Sequence, residues 1–305
     1  MQSHAAGDSS KFLNLRSLSG LEGLRFSAKR RIEGAYSGRH IAKKQGGAGE
    51  FADYREYSPG DDLRRLDWRI LARTGKTFLK LHQDETNLAC TMLIDSSGSM
   101  GFSGYQPKGG ESKLAWCQYF TTALSHLILT GRDHVGLAVS EQNRNPYFAP
   151  SCLPQQRGLI HESIANMIPV GPTSLAKSLD SLFMQVKRRG VLMVLSDFLE
   201  PDLDPMLSSL RKFRIRGWEV IAMHIVHPDE LTLPKGRAFR FLGMEGESPV
   251  AVQVNELREA YEARFERHQA SVRTGLLSVG CDFHPIYTST HYMDVLRQFL
   301  IKRSG

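Results

Sequence analysis

Cysteine is scarce in this chain of 305 residues: Cys90, Cys117, Cys152 and Cys281 lie far apart, and no two form a C-x-x-C pair. That spacing excludes the dense disulfide framework of small secreted domains and offers no closely spaced ligands for a tetrahedral zinc site. Buried or half-buried thiols are expected instead. Long apolar runs are missing as well. The stretch Val191-Leu192-Met193-Val194-Leu195 is among the longest, far short of the roughly 18 to 20 residues that span a bilayer. Residues 1–20 contain no apolar stretch suited to a secretory signal, which points to a cytoplasmic location. The 11 histidines show no H-E-x-x-H spacing, so His82, His126, His134 and His224 read as structural or surface residues. No G-x-S-x-G elbow surrounds Ser96, Ser97 or Ser99, which argues against a serine hydrolase. Internal repeats and low-complexity tracts are also absent.

With 41% hydrophobic and 23% charged residues, the chain has the composition of a globular protein able to bury a sizeable core. Its formal net charge is +7, and the excess is concentrated near the start. Arg25, Lys29, Arg30, Arg31, Arg39, Lys43 and Lys44 face a single acid, Glu33, between Gly23 and Ala48. Such a patch can attract phosphates without reading sequence, so nucleic-acid binding is an alternative function. A second basic feature is the series Arg65, Arg69 and Arg73, spaced to share one helix face. Asp61, Asp62 and Asp67 are placed to neutralise it.

Residues 1–20, rich in Ser and Gly, read as a mobile tail. A basic extension over 21–84 follows, with a short helix from about Leu21 to Ile32, a loop through Gly46-Gly47-Ala48-Gly49, and a helix from Pro59 to Ala72 behind an N-cap at Ser58. From Phe78 onward strands and helices alternate. The pattern predicts an α/β fold for 85–305, with a doubly wound, mostly parallel sheet and helices on both faces. Strands are expected at Phe78–Gln83 (an edge), Ala89–Ile94 (central), Val135–Ser140, Val191–Leu195, Glu219–Val226 and Phe283–Tyr287. A short hairpin is expected near Tyr147 and Phe148. Helices are expected at Lys113–Leu129, Gln155–Met167, Leu175–Arg188, Asp204–Arg214, Asn255–Leu277 and Tyr292–Lys302, with an irregular or hairpin insertion over Pro228–Val254.

The chemistry concentrates after the central strand. Asp95-Ser96-Ser97-Gly98-Ser99 puts a carboxylate and hydroxyls on a tight turn at a strand's C-terminal end, the edge at which open α/β sheets bind ligands. Thr173, before a helix, and Asp197, after the most apolar strand, belong to the same rim. Hard oxygen donors of this kind suit Mg²⁺, with Mn²⁺ or Ca²⁺ as alternatives, and disfavour soft metals. A metal-dependent phosphatase of the haloacid dehalogenase class would need a second Asp two residues after Asp95. Ser97 stands there, so a proton donor is lacking.

These residues resemble the D-x-S-x-S, Thr, Asp pattern of the von Willebrand factor A-type metal-ion-dependent adhesion site. The resemblance assigns Asp95, Ser97, Ser99, Thr173 and Asp197 to the metal, with Asp197 acting through water and a partner carboxylate filling the remaining position. It implies a protein-interaction module and no enzyme. A second run, Gly49-Glu50-Phe51-Ala52-Asp53-Tyr54-Arg55-Glu56-Tyr57-Ser58-Pro59-Gly60-Asp61-Asp62-Leu63-Arg64-Arg65-Leu66-Asp67-Trp68-Arg69, with Ala72-Arg73-Thr74-Gly75-Lys76 after it, resembles the bacterial family called domain of unknown function 58. That likeness implies work beside a MoxR-type AAA+ ATPase as an adaptor in protein assembly, metal insertion or stress response. Many members of the family carry N-terminal membrane helices; none is expected from this sequence, which points to a soluble form.

Overall fold

The computed structural model describes residues 11–21, 23–28, 51–58, 66–82, 88–105, 110–142 and 144–304. The chain divides into two compact units, Glu33–Asn87 and the combination of Met1–Ile32 with Leu88–Gly305. In the larger unit the chain enters through α1 (Leu15–Leu18) and one turn of 3-10 helix, Ser19–Leu21. Phe12, Leu18, Leu21 and Phe26 are buried. The expected tail therefore does not extend to residue 20, because single large apolar side chains at irregular spacing anchor residues 11–28. The helix expected from Leu21 does not form over Leu24–Ala28, where Phe26 instead stacks on Phe299. Residues 29–50, with most of the basic patch and the Gly-rich loop, lie outside the described residues.

In the smaller unit, β1 (Phe51–Glu56) pairs antiparallel with β2 (Phe78–His82), and α2 (Trp68–Thr74) lies between them in sequence. This corrects two expectations. The strand at Phe78 belongs to a two-stranded sheet of its own and is not an edge of the main one. The described helix starts at Trp68, because Asp67 caps it by accepting hydrogen bonds from the N–H groups of Arg69 and Ile70 and Leu66 bridges to Leu79 as extended chain. Ser58, the expected cap, is not used for this helix. Arg69 and Arg73 are exposed, while Asp61, Asp62 and Arg65 lie outside the described residues.

The larger unit continues with β3 (Ala89–Asp95), α3 (Lys113–Thr130), β4 (His134–Ser140), β5 (Tyr147–Ser151), α4 (Pro154–Ala165), α5 (Leu175–Gln185), β6 (Val191–Ser196), α6 (Asp204–Ile215) and β7 (Glu219–Val226). The hairpin strands β8 (Ala238–Phe241) and β9 (Val250–Gln253) fill the predicted insertion, and α7 (Val254–Ser278), β10 (Asp282–Tyr287) and α8 (Tyr292–Ser304) complete the unit. The sheet order is β10-β7-β6-β3-β4-β5, parallel except for the edge strand β5. Strands buried on both faces need no polar alternation, which explains their continuous apolar runs. Successive side chains still point to opposite faces. Met92 and Ile94 of β3 join Trp116, Phe120 and Leu296 beneath α3 and α8, while Leu93 joins Leu179, Leu210 and Leu276 beneath α5, α6 and α7. The doubly wound architecture is the one expected from the sequence.

Of the four cysteines, Cys90, Cys117 and Cys281 are buried and free. Cys152 is exposed, contrary to the expectation for all four, because it falls in the turn between β5 and α4.

Candidate metal centre

The parallel register brings the ends of β3 and β6 side by side: Ile94 pairs with Leu195, so the chain leaves both strands at the same rim. There Ser196 donates to Asp95 Oδ2 at 2.7 Å. Asp95 Oδ1 accepts from the backbone N–H of Ser97 at 3.0 Å and from the hydroxyl of Thr173, also at 3.0 Å. Thr173 arrives on a loop that is stitched to the turn after β3. Val170 N–H donates to Ser96 O, and Gly98 N–H donates to Gly171 O at 2.8 Å. Gly171 takes φ +60° there, a left-handed conformation that L side chains rarely adopt. The hydroxyls of Ser97 and Ser99 lie 3.0 Å apart, and Ser99 also hydrogen bonds to Asp197. All five sequence-predicted residues therefore meet at one rim. Asp95, Ser97 and Asp197 are buried.

The charge balance is uneven. Asp197 Oδ2 accepts from Lys113 Nζ at 2.7 Å, and Lys113 is completely buried at the start of α3. Its ammonium also contacts Glu230. Burial alone would lower the lysine's pKa, but the charges of Asp197 and Glu230 more than offset this and hold it protonated. Burial likewise acts to raise Asp197, yet the neighbouring ammonium and its hydrogen bonds keep that carboxyl below its usual range. Among the described residues, Asp95 has no such cation. Every hydrogen-bond donor to it is neutral, and burial together with the charge of Asp197 pushes its pKa up to about 6. His224 supplies no compensating charge, since burial pushes it down to about 4. It is a buried residue beside Phe198, in keeping with a structural role.

Two carboxylates, only one of them matched by an ammonium, and three hydroxyls form a donor set that fits a hard divalent cation. Among the described residues, no three His, Cys, Asp or Glu side chains converge on one point, so an ion here depends on the hydroxyls. Asp95, Ser97, Ser99 and Thr173 would hold it. Asp197, already bound to Lys113, is better placed to act through water.

A pH prediction follows from Asp95. A carboxyl raised from its ordinary 3.8 to about 6 favours the folded state while protonated. That stability is present below about pH 4 and is lost as pH rises through about 6. In chelator, the stability of the unmodified chain relative to Asp95→Asn should therefore fall between about pH 4 and 6. With millimolar Mg²⁺ the fall should be reversed or abolished, as read by thermal melts at matched ionic strength.

Three residues that the sequence reading missed, Glu245, Lys113 and Glu230, adjoin the centre. The hairpin loop between β8 and β9 reaches back to the turn after β3, where Glu245 accepts the Ser99 N–H at 3.1 Å. A Cβ on Gly98 would lie 2.1 Å from Met244 O, so only glycine permits this approach. Gly98→Ala should displace the hairpin tip at a cost of about 1–3 kcal/mol, and the amide of Ser99 should lose its protection from hydrogen exchange while the sheet amides keep theirs. Lys113 and Glu230 lacked any local signal, because an N-terminal helix lysine is ordinarily solvated.

The family model described as "Protein of unknown function DUF58" matches residues 53–271, and the chain belongs to that family. Uncharacterized proteins of Mycobacterium tuberculosis and Mycobacterium bovis are 25% identical over 298 residues, covering 93% of this chain and 89% of theirs. Among solved structures, an aerotolerance-related membrane protein from Bacteroides fragilis is 14% identical, with TM-score 0.46, over 70% of this chain and 99% of that one. BatB from Bacteroides thetaiotaomicron is 11% identical, with TM-score 0.45, over 71% and 98%. The VWA domain of SpRpn10 is 14% identical, with TM-score 0.40, over 70% and 95%. The fold assignment itself rests on the strand order and the two helix layers described above. No helix among the described residues is long and apolar enough to cross a membrane.

Proposed function

We propose that this DUF58-family chain is a non-enzymatic protein-interaction module. In this reading a divalent cation, Mg²⁺ in the first instance, sits at Asp95, Ser97, Ser99 and Thr173, with Asp197 in support, and captures a carboxylate of a partner protein. One observation carries it. Asp95 is buried beside a second carboxylate, with neutral donors on both of its oxygens and, among the described residues, no cation in contact. A charge held in that way is costly unless a counter-ion joins it. A bound cation would supply the counter-charge, and with few protein charges around it would stay electrophilic enough to accept one more anionic ligand. The protein's own part is to orient the donors: Ser196 and the Ser97 N–H fix the Asp95 carboxylate, and the Val170 to Thr173 loop is held to the β3 turn by two backbone hydrogen bonds.

The partner proposed from the family resemblance is a MoxR-type AAA+ ATPase. The test uses the full chain immobilised with Mg²⁺ and the MoxR-type ATPase of the same organism in solution. Retention that is lost in chelator and restored by Mg²⁺ is the expected result. Equal retention in both conditions would overturn the metal-dependent mechanism, and no retention in either would remove the ATPase as partner. Mn²⁺ titration of the isolated chain examines the centre independently of any partner.

A further inference from the structure

Beside the candidate centre lies an open cavity of about 600 Å³. Ser99 belongs to both. Its apolar walls come mainly from Phe102 and Tyr105 after β3, Phe241 and Val252 of the β8–β9 hairpin, and Leu257 and Tyr261 of α7, with Leu199 and Leu233 beside them. Glu230, Glu247 and Arg264 add charged groups to the lining. Leu257 and Met244, both on this lining, are among the exposed large apolar residues of the surface. The volume suits one bulky side chain or a small organic group, and apolar pockets of this size with a few convergent polar groups are the usual form of a ligand site.

The lining of the cavity already holds a carboxylate against the turn that carries Ser99. Glu245 places Oε1 on the Ser99 N–H, one residue type and one position that together define an acid-accepting place next to the Ser97 and Ser99 hydroxyls. The hairpin that carries it is braced locally, Glu245 N–H donating to Glu247 Oε2 at 2.9 Å. We infer that the centre and the cavity form one two-part recognition site for an acidic residue next to a bulky apolar side chain. The carboxylate goes to the ion and the apolar group to the cavity, while Glu245 is the chain's own occupant of the acid place and is displaced by the ligand. This rests on the metal-centre reading above and adds to it the class of partner sequence.

The probe is hydrocinnamate, a carboxylate with a phenyl tail, set against acetate and against hydrocinnamamide, each titrated onto the full chain in Mg²⁺ and in chelator. With Mg²⁺, hydrocinnamate should bind about tenfold or more tightly than either control, as burial of a phenyl ring allows, and chelator should abolish the difference. Ala260→Trp fills the cavity and Leu257→Asp polarises it; both positions are exposed, so the fold should survive, and each should remove the advantage over acetate while leaving Mn²⁺ affinity unchanged. Glu245→Ala should tighten hydrocinnamate binding by vacating the acid place. If Mn²⁺ binds but hydrocinnamate matches acetate, or the cavity variants have no effect, the two-part site is wrong and the metal centre stands. Equal binding of acid and amide without metal would likewise overturn it, as would unchanged or weaker binding by Glu245→Ala. Failure of Mn²⁺ to bind the unmodified chain would overturn both readings.

Discussion

Lys113→Met should destabilise the metal-free protein by about 3–5 kcal/mol, the usual result of removing one member of a buried ion group. Lys113 is completely buried, with its ammonium shared between Asp197 and Glu230. Methionine replaces much of the aliphatic stem, so the loss measures the charge rather than a cavity. The magnitude is large because only one side is deleted. Two carboxylates in the chain interior would then face each other, with Asp95 close by, and none would have a cation. Replacing the whole group by apolar residues of similar volume would be far less costly. Adding Glu230→Gln to Lys113→Met should accordingly recover part of the loss. Mg²⁺ should recover part as well, since a ligand that binds only the folded state stabilises it in proportion to the logarithm of its concentration. Urea unfolding of both variants, with and without Mg²⁺, provides the measurement. A loss under about 1 kcal/mol would place this lysine in the class of solvated ion pairs.

Asp95→Asn should produce opposite effects on stability and on ion binding. The amide keeps the shape of the carboxylate but removes the charge that burial and Asp197 already disfavour, so the metal-free fold should become more stable at pH 7. Mn²⁺ affinity should fall at least about 100-fold, since the cation loses its one carboxylate not already engaged by an ammonium. A residue with a purely structural role would lose stability on substitution and would leave ion binding alone. Asp95→Ala adds a cavity and so tests the binding loss less cleanly, but retention of both metal binding and partner capture in that variant would rule out the adhesion-site mechanism. Isothermal titration with Mn²⁺ and melts in chelator separate the two quantities.

Most of the main sheet could be read locally because its strands are buried on both faces. Val191–Leu195 is a continuous apolar run, and Glu219–Val226 is broken only by Glu219 and His224. Both are flanked by helical periodicity, and β7 spans the residues expected of it. The candidate ligands were legible for a related reason: Asp95 and Asp197 are the first polar acids after such runs, and strand ends in a parallel sheet share a rim. What could not be read locally depends on tertiary contact. The sequence of β2 says that it is a strand but not which sheet it joins, and β1 supplied its partner. Phe12, Leu18, Leu21 and Phe26 lack a regular period because each fills a gap in a core built by other elements. Asp67 prevailed over Ser58 as the helix cap because Leu66 is held in extended form by Leu79. Lys113 looks like any helix-start lysine until Asp197 and Glu230 close around it. The contact of Glu245 with Ser99 joins residues 146 apart, a distance over which no local pattern has a voice.

The order in which the donors appear along the chain has a consequence for synthesis. Asp95, Ser97 and Ser99 emerge first, Thr173 about half-way through the chain and Asp197 later still, and the centre closes only when β6 has aligned against β3. A nascent chain ending before that point carries the turn and Thr173 but lacks Asp197 and the Ser196 hydroxyl that fixes Asp95. Under the proposed reading, metal binding should thus depend on the arrival of β6, and ribosome-released fragments stopping at α5 should bind Mn²⁺ more weakly than the full chain.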